Sequence, residues 1–177
     1  MNPPTRKWLR LIAVLLLLLL IDQASKRWVI AALPYERTVQ PIPALAPFFQ
    51  FTYIHNTGAA FGFLPQAGDF FLIIAVVVSI GVLYYYPRLP ADAALTQIAL
   101  SMVLAGALGN ALDRLTIGAV VDFIHYQIPG VVSNVSNLAD HAIVGGTIIL
   151  FVQSWRAPDH RPQDAAKAGD ETPSGRV

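Results

Sequence analysis

Four aspartates, Asp22, Asp113, Asp122 and Asp140, lie in or beside long apolar runs of the chain. A carboxylate inside a bilayer is expensive and usually faces a bundle interior or a wet cavity. Two carboxylates a few ångströms apart do not both ionise readily. One takes up a proton and the other keeps its charge. The charged member can deprotonate a water, and the protonated member can hydrogen-bond a carbonyl and later protonate a leaving amine. That is peptide hydrolysis with no metal, cofactor or covalent intermediate. The other two aspartates of such a set can be structural, held by Lys26 and Arg114. Each aspartate also has a bland reading when taken alone. Asp22 can pair with Lys26 one turn along a helix, Asp113 with Arg114, and Asp140 can cap the helix that it begins.

Other constellations are weaker. Ser25 and Lys26 are adjacent, so on a helix they point about 100° apart and cannot form a serine–lysine pair. His55, His125 and His141 lack the spacing of a helical two-histidine metal site, and no HExxH motif occurs. Cysteine is absent, which excludes disulfides, thiolate metal sites and cysteine nucleophiles.

The aspartates need elements that bring them together. Of the 177 residues, 55% are hydrophobic and 13% charged, with a mean hydropathy of +0.53. A soluble domain carries about 25% charged residues, so the composition indicates a bilayer protein. The net charge of +1, with no basic patch, argues against a nucleic-acid partner. Four segments are long and apolar enough to span, at about 8–33, 70–86, 93–112 and 138–155. Trp8, Trp155 and Tyr84 to Tyr86 stand at their ends as interfacial anchors. At 1.5 Å per residue, Asp22 lies roughly 21 Å along the first helix, Asn110 roughly 26 Å along the third and Asp113 about 30 Å. Asp140 begins the fourth helix from the same side, and Asp122 lies in the loop before it. The four aspartates therefore share one depth.

The expected fold is a mainly α integral membrane protein of four transmembrane helices over residues 1–156, with a small β-rich extracytoplasmic cap at 34–69. The cap contains the aromatic, β-branched run Phe48 to Ile54. Residues 157–177 carry no apolar period and are expected to be a disordered cytoplasmic tail. Arg6, Lys7, Arg10, Arg88, Arg156 and Arg161 fall on one side, which the positive-inside rule makes cytoplasmic, with both termini there. The first segment is retained rather than cleaved, because Asp22 to Lys26 follow its apolar run where a small-residue cleavage site would stand.

Four blocks in order now resemble a known family, the lipoprotein signal peptidases, or type II signal peptidases, of bacteria. They are Asp22-Gln23-Ala24-Ser25-Lys26; Asn56-Thr57-Gly58-Ala59-Ala60-Phe61-Gly62; Gly106 to Asn110 through Asp113-Arg114 to Val121-Asp122-Phe123; and Asn137-Leu138-Ala139-Asp140. The resemblance runs from about Trp8 to Trp155. It implies Asp122 and Asp140 as the catalytic pair. Supporting roles go to Asp22, Lys26, Asn56, Gly58, Asn110, Asp113, Arg114 and Asn137. It implies a prolipoprotein substrate whose cysteine already carries diacylglycerol, cut just before that cysteine at the outer face of the inner membrane. No metal or cofactor is called for; membrane lipids surround an enzyme expected to be a monomer. Ser136 departs from the family's usual aromatic residue at that position. The rival readings are a proton-coupled transporter, which uses broken helices near the midplane, and a membrane scaffold, which needs no carboxylate cluster.

Overall fold

The computed structural model describes residues 3–46, 48–58 and 67–156. Its helices are α1 (Pro3–Ala32), α2 (Gly68–Tyr85), α3 (Ala94–Ile117) and α4 (Leu138–Arg156). Its strands are β1 (Thr38–Val39), β2 (Phe49–Asn56), β3 (Val120–Ile128) and β4 (Val132–Ser136). Four helical stretches are long and apolar enough to cross a bilayer: Thr5–Ala32, Gly68–Arg88, Ala94–Ile117 and Leu138–Trp155. They match the expected spans except at two ends. Pro3 begins α1 early, where a missing amide is harmless. α3 runs five residues past Leu112, because nothing interrupts it before Gly118, whose φ of 74° forms a left-handed C-cap. Asp113 and Arg114 are therefore helical. The fourth block's Asn137 and the start of the second block fall on described residues, but Ala59 to Gly62 and the 157–177 tail lie outside them.

α3 is the central helix and packs against α1, α2 and α4. Its small residues, among them Ala99, Ala105, Gly106, Ala107 and Gly109, are buried and let neighbouring backbones approach. Gly146 does the same from α4: a Cβ there would lie 2.6 Å from the Ala99 carbonyl. At the bundle end away from the sheet, Arg10 bonds the buried Gln97, whose amide also donates to the Pro90 carbonyl at 2.6 Å. Tyr86 is buried here, its hydroxyl donating to the Lys7 carbonyl at 2.8 Å, so it is a packing residue and not an interfacial anchor.

The cap is one antiparallel sheet in the order β1-β2-β3-β4. Half of it comes from the connection between α3 and α4, where the sequence predicts a loop. Val120 to Ile128 is rich in β-branched and aromatic residues, and Gly130, with φ of 75°, turns it back into β4. Val29 of α1, Tyr53, Val121, Phe123 and Ile124 form the core beneath the sheet.

The packing makes one glycine contrast testable. A Cβ at Gly106 would clash with the Ala139 carbonyl and lie 2.7 Å from Ile143, whereas one at Gly81 meets nothing within 4 Å. Gly106→Ala is expected to lower stability by about 1–3 kcal/mol and Gly81→Ala to leave it unchanged or slightly higher, read as melting temperatures in detergent. Equal melting temperatures would mean that α3 and α4 are not in this close contact.

Candidate active site

Lys26, on α1 one turn from Asp22, is almost fully buried. An ammonium has three N–H donors. They go to Asp22 Oδ2 at 2.9 Å, Asp113 Oδ2 at 2.8 Å and Asn110 Oδ1 at 3.0 Å. Both carboxylates therefore pair with Lys26. This corrects the expected pairing of Asp113 with Arg114. Each carboxylate then uses another lone pair on backbone outside its own helix. Asp22 Oδ1 accepts from the Ala139 amide at 3.0 Å, and Asp113 Oδ2 from the Val121 amide at 3.1 Å. Those amides immediately precede Asp140 and Asp122. Ser25 turns away and bonds its own helix at the Asp22 carbonyl, so no serine–lysine pair exists.

Asp122 sits on β3 opposite Ile54 of β2, and Asn56 lies two residues along on the same face. Asn56 donates to Asp122 Oδ2 at 2.8 Å, and Asn137, directly after β4, donates to Oδ1 at 2.6 Å. Asp140 lies in the first turn of α4. Its backbone amide bonds Asn137 Oδ1 at 2.9 Å, and its Oδ2 reaches back to the Asn137 amide at 3.4 Å, a reciprocal cap on the helix start. Asn110 Nδ2 donates to Asp140 Oδ1 at 2.7 Å.

The three asparagines are oriented by groups that have only one possible role. The oxygen of Asn110 must face the Lys26 ammonium, that of Asn137 the Asp140 amide and that of Asn56 the Gly58 amide at 2.9 Å. Each is left with an N–H donor directed at an aspartate. Arg114 completes the wall. Its Nη2 donates to the Gly58 carbonyl at 3.1 Å, and the guanidinium lies within electrostatic reach of Asp140, Asp122 and Asp113.

Asn56, Gly58, Asn110, Arg114, Asp122 and Asp140 line one cavity of about 380 Å³, whose other lining residues, apolar but for Thr147, come from α2, α3, α4 and the start of β3. Burial pushes the Asp122 carboxyl up to about 7. The charge of Asp140 acts in the same direction, while the Asn56 and Asn137 amides and Lys26 oppose it.

A model of the signal peptidase II family matches residues 14–156. The chain belongs to that family. A lipoprotein signal peptidase of Alteromonas mediterranea is 36% identical over 173 residues, covering 94% of this chain and 93% of the relative. One from Moorella thermoacetica is 44% identical over 141 residues, covering 78% and 87%. Two solved bacterial membrane enzymes share the fold. One has a TM-score of 0.74 at 27% identity, covering 93% of this chain and 94% of its own. The other has a TM-score of 0.71 at 30% identity, covering 82% and 92%.

All ten residues singled out in this signal peptidase II sequence meet in one network: Asp22, Lys26, Asn56, Gly58, Asn110, Asp113, Arg114, Asp122, Asn137 and Asp140. Two others belong to it. Gln23 Nε2 bridges Asp113 Oδ1 at 3.0 Å and Asp22 Oδ2 at 3.2 Å. A Cβ at Gly109 would lie 2.7 Å from Asp22 Oδ2. The signal for both was present, since each stands inside a block that also carries a charged or amide residue of the site. Two of the histidines lie elsewhere, His55 on the Tyr53 hydroxyl and His125 between Thr52 and Ser133, whereas His141 bonds the Asn137 carbonyl at 2.6 Å.

Two outcomes follow. Lys26→Met leaves Asp22 and Asp113 buried without their cation, and is expected to lower stability by about 3–5 kcal/mol. A wild-type melting temperature would show that the ammonium is not buried between them. The second concerns pH. The folded protein holds the Asp122 proton more tightly than the unfolded chain does, because the carboxyl is raised from 3.8 to about 7. Its contribution to stability is therefore complete below the unfolded value and lost as pH rises through the folded one. Melting temperature should fall across that window, and Asp122→Asn should flatten the fall. An unchanged slope in the variant would place the titrating proton elsewhere.

Proposed function

We propose that this chain removes the signal peptide from diacylglyceryl-modified prolipoproteins as an aspartic endopeptidase, cutting just before the lipidated cysteine. The observation that carries the reading is the pair Asp122 and Asp140 on one cavity wall, each held by asparagine N–H donors of fixed direction. Asp122 holds the shared proton and Asp140 is the carboxylate. Asp140 removes a proton from water as the oxygen adds to the scissile carbonyl carbon, and Asp122 protonates the carbonyl oxygen. The gem-diol then collapses. Asp140 gives its proton to the leaving nitrogen, the C–N bond breaks, and Asp122 recovers a proton from a diol hydroxyl.

The apolar walls of the cavity, including Ile74 and Val78 of α2 and Val103 and Ala107 of α3, suit the hydrophobic part of a signal sequence. A lipid anchor on the cysteine holds the scissile bond at the membrane surface, at about 0.8 kcal/mol per buried methylene. We assign the sheet and the dyad to the outer face, with both termini inside. Arg6, Lys7, Arg10 and Arg88 belong to the bundle end remote from the sheet, in agreement with the positive-inside rule. A proton relay across the membrane finds no support. Among the described residues, the buried polar side chains at that remote end are Gln97 and Ser101, neither of which carries a proton across.

Asp122→Asn and Asp140→Asn are each expected to lower cleavage of a lipidated lipobox peptide by about 10²–10⁴-fold or more in a folded, inserted protein. The wild-type rate should fall on both sides of a maximum. Acid fills the water-activating base of the pair, and alkali above about 7 removes the Asp122 proton. A single variant with near-normal turnover, or a flat rate–pH profile, would sink the dyad mechanism.

A further inference from the structure

His141 is bonded to the network around Asp122 and Asp140, yet the cleavage chemistry above gives it no part. It follows Asp140 in the first turn of α4 and stands outside the candidate active-site cavity. Its Nδ1 lies 2.6 Å from the Asn137 carbonyl. A carbonyl only accepts, so Nδ1 carries a proton. Nε2 of the neutral ring is then an acceptor, and the Tyr126 hydroxyl of β3 donates to it at 3.2 Å. The two rings pack with centroids 5.8 Å apart. β3 therefore meets the start of α4 at two points. Asp122 and Tyr126 are four residues apart, on one face of the strand and about 13 Å from each other along it. Asp122 Oδ1 accepts from the Asn137 side chain at 2.6 Å, and Tyr126 reaches His141 one turn further along.

We propose that His141 is a positioning residue for the cleavage, an inference that rests on the peptidase reading. With Tyr126 it sets the angle between β3 and α4, and so the separation of the Asp122 and Asp140 carboxyls. One hydrogen bond fixes a distance and leaves a hinge. A second one at a distant point removes the hinge. The other ties named above between β3 and its helical neighbours are the Val121 amide on Asp113 and the Asp122 carboxyl on Asn137, one residue apart. Tyr126 is the tie that works at a distance. His141 touches no reacting atom. It acts through Asn137, whose side chain donates to Asp122 and accepts from the Asp140 amide at 2.9 Å. A displacement of about 1 Å between reacting groups costs about 10²-fold in rate, so a small change of this angle has a large effect. His125 supplies the contrast. It points to the opposite face of β3 and bonds Thr52 and Ser133 at 2.8 Å each, within the sheet.

The test measures kcat and KM separately for the full-length enzyme in nanodiscs, with one lipidated lipobox peptide. His141→Ala is expected to lower kcat by about 10- to 100-fold and to leave KM within about twofold, because the reacting groups are misplaced while the binding surface remains. Tyr126→Phe removes the hydroxyl and keeps the ring, and should lower kcat by a smaller factor. The double variant should be no slower than His141→Ala, since both changes break one tie. His141→Asn keeps a donor where Nδ1 stood, and should recover the rate of Tyr126→Phe. His125→Ala should leave kcat unchanged. Should His141→Ala fail to fold, Tyr126→Phe alone and within His141→Asn carries the same comparison. A wild-type kcat in His141→Ala, a loss confined to KM, or losses that multiply in the double variant overturns the positioning role while the peptidase reading stands. Failure of wild type to cut any lipidated peptide overturns both.

Discussion

The Lys26 ammonium lies deep in the bundle with each of its three donors on a protein oxygen. Desolvating such a charge costs several kcal/mol, and the arrangement survives only if every partner stays in place. α1 and α3 are therefore fixed to one another at this depth. Asp22 and Asp113 pass the constraint on, because each also grips the amide just before Asp140 or Asp122. The ion cluster and those two aspartates are thus one hydrogen-bonded object. A shift of either helix moves β3 or the start of α4, and with it Asp122 or Asp140. The glycines serve the same geometry. Gly109 lets Asp22 approach α3, and Gly106 lets the Ala139 carbonyl sit against α3.

The asparagines convert that rigid frame into direction. An amide can be turned over at little cost when both its ends meet groups able to donate and accept. Here Lys26, the Asp140 amide and the Gly58 amide can only donate, so each asparagine oxygen is committed. The nitrogens that remain all face carboxylate oxygens. An aspartate at any of these positions would present an acceptor to an acceptor, and an alanine would leave a buried partner unsatisfied at about 1–3 kcal/mol.

The spans, the shared depth of the four aspartates and the residues of the site were legible because membrane cost makes each polar residue stand out against apolar neighbours. Asp22 and Lys26 announce their pairing by being four residues apart. The partner of Asp113 was not legible in the same way. Arg114 is next to it in sequence, yet adjacent residues on a helix diverge, and α1 presents Lys26 instead. β3 was hidden for a related reason. It follows a helix whose apolar run ends at Leu112, and Val120 to Ile128 alternates only partly because both faces of its first half are buried. Tyr86 read as an anchor from its place in an aromatic run, but only tertiary packing puts its hydroxyl on the Lys7 carbonyl.

The two aspartates on the cavity are carried by different kinds of element. Asp122 lies on a strand, where successive backbone dipoles largely cancel, and burial together with a neighbouring charge favours its neutral form. Asp140 lies in the first turn of α4, in a reciprocal cap with Asn137 and within electrostatic reach of Arg114. Two chemically identical side chains thus receive different surroundings from the elements that carry them. The turn of α4 that carries Asp140 is itself held from the far side by Asp22 through the Ala139 amide, so the ion cluster inside the bundle fixes where that helix begins.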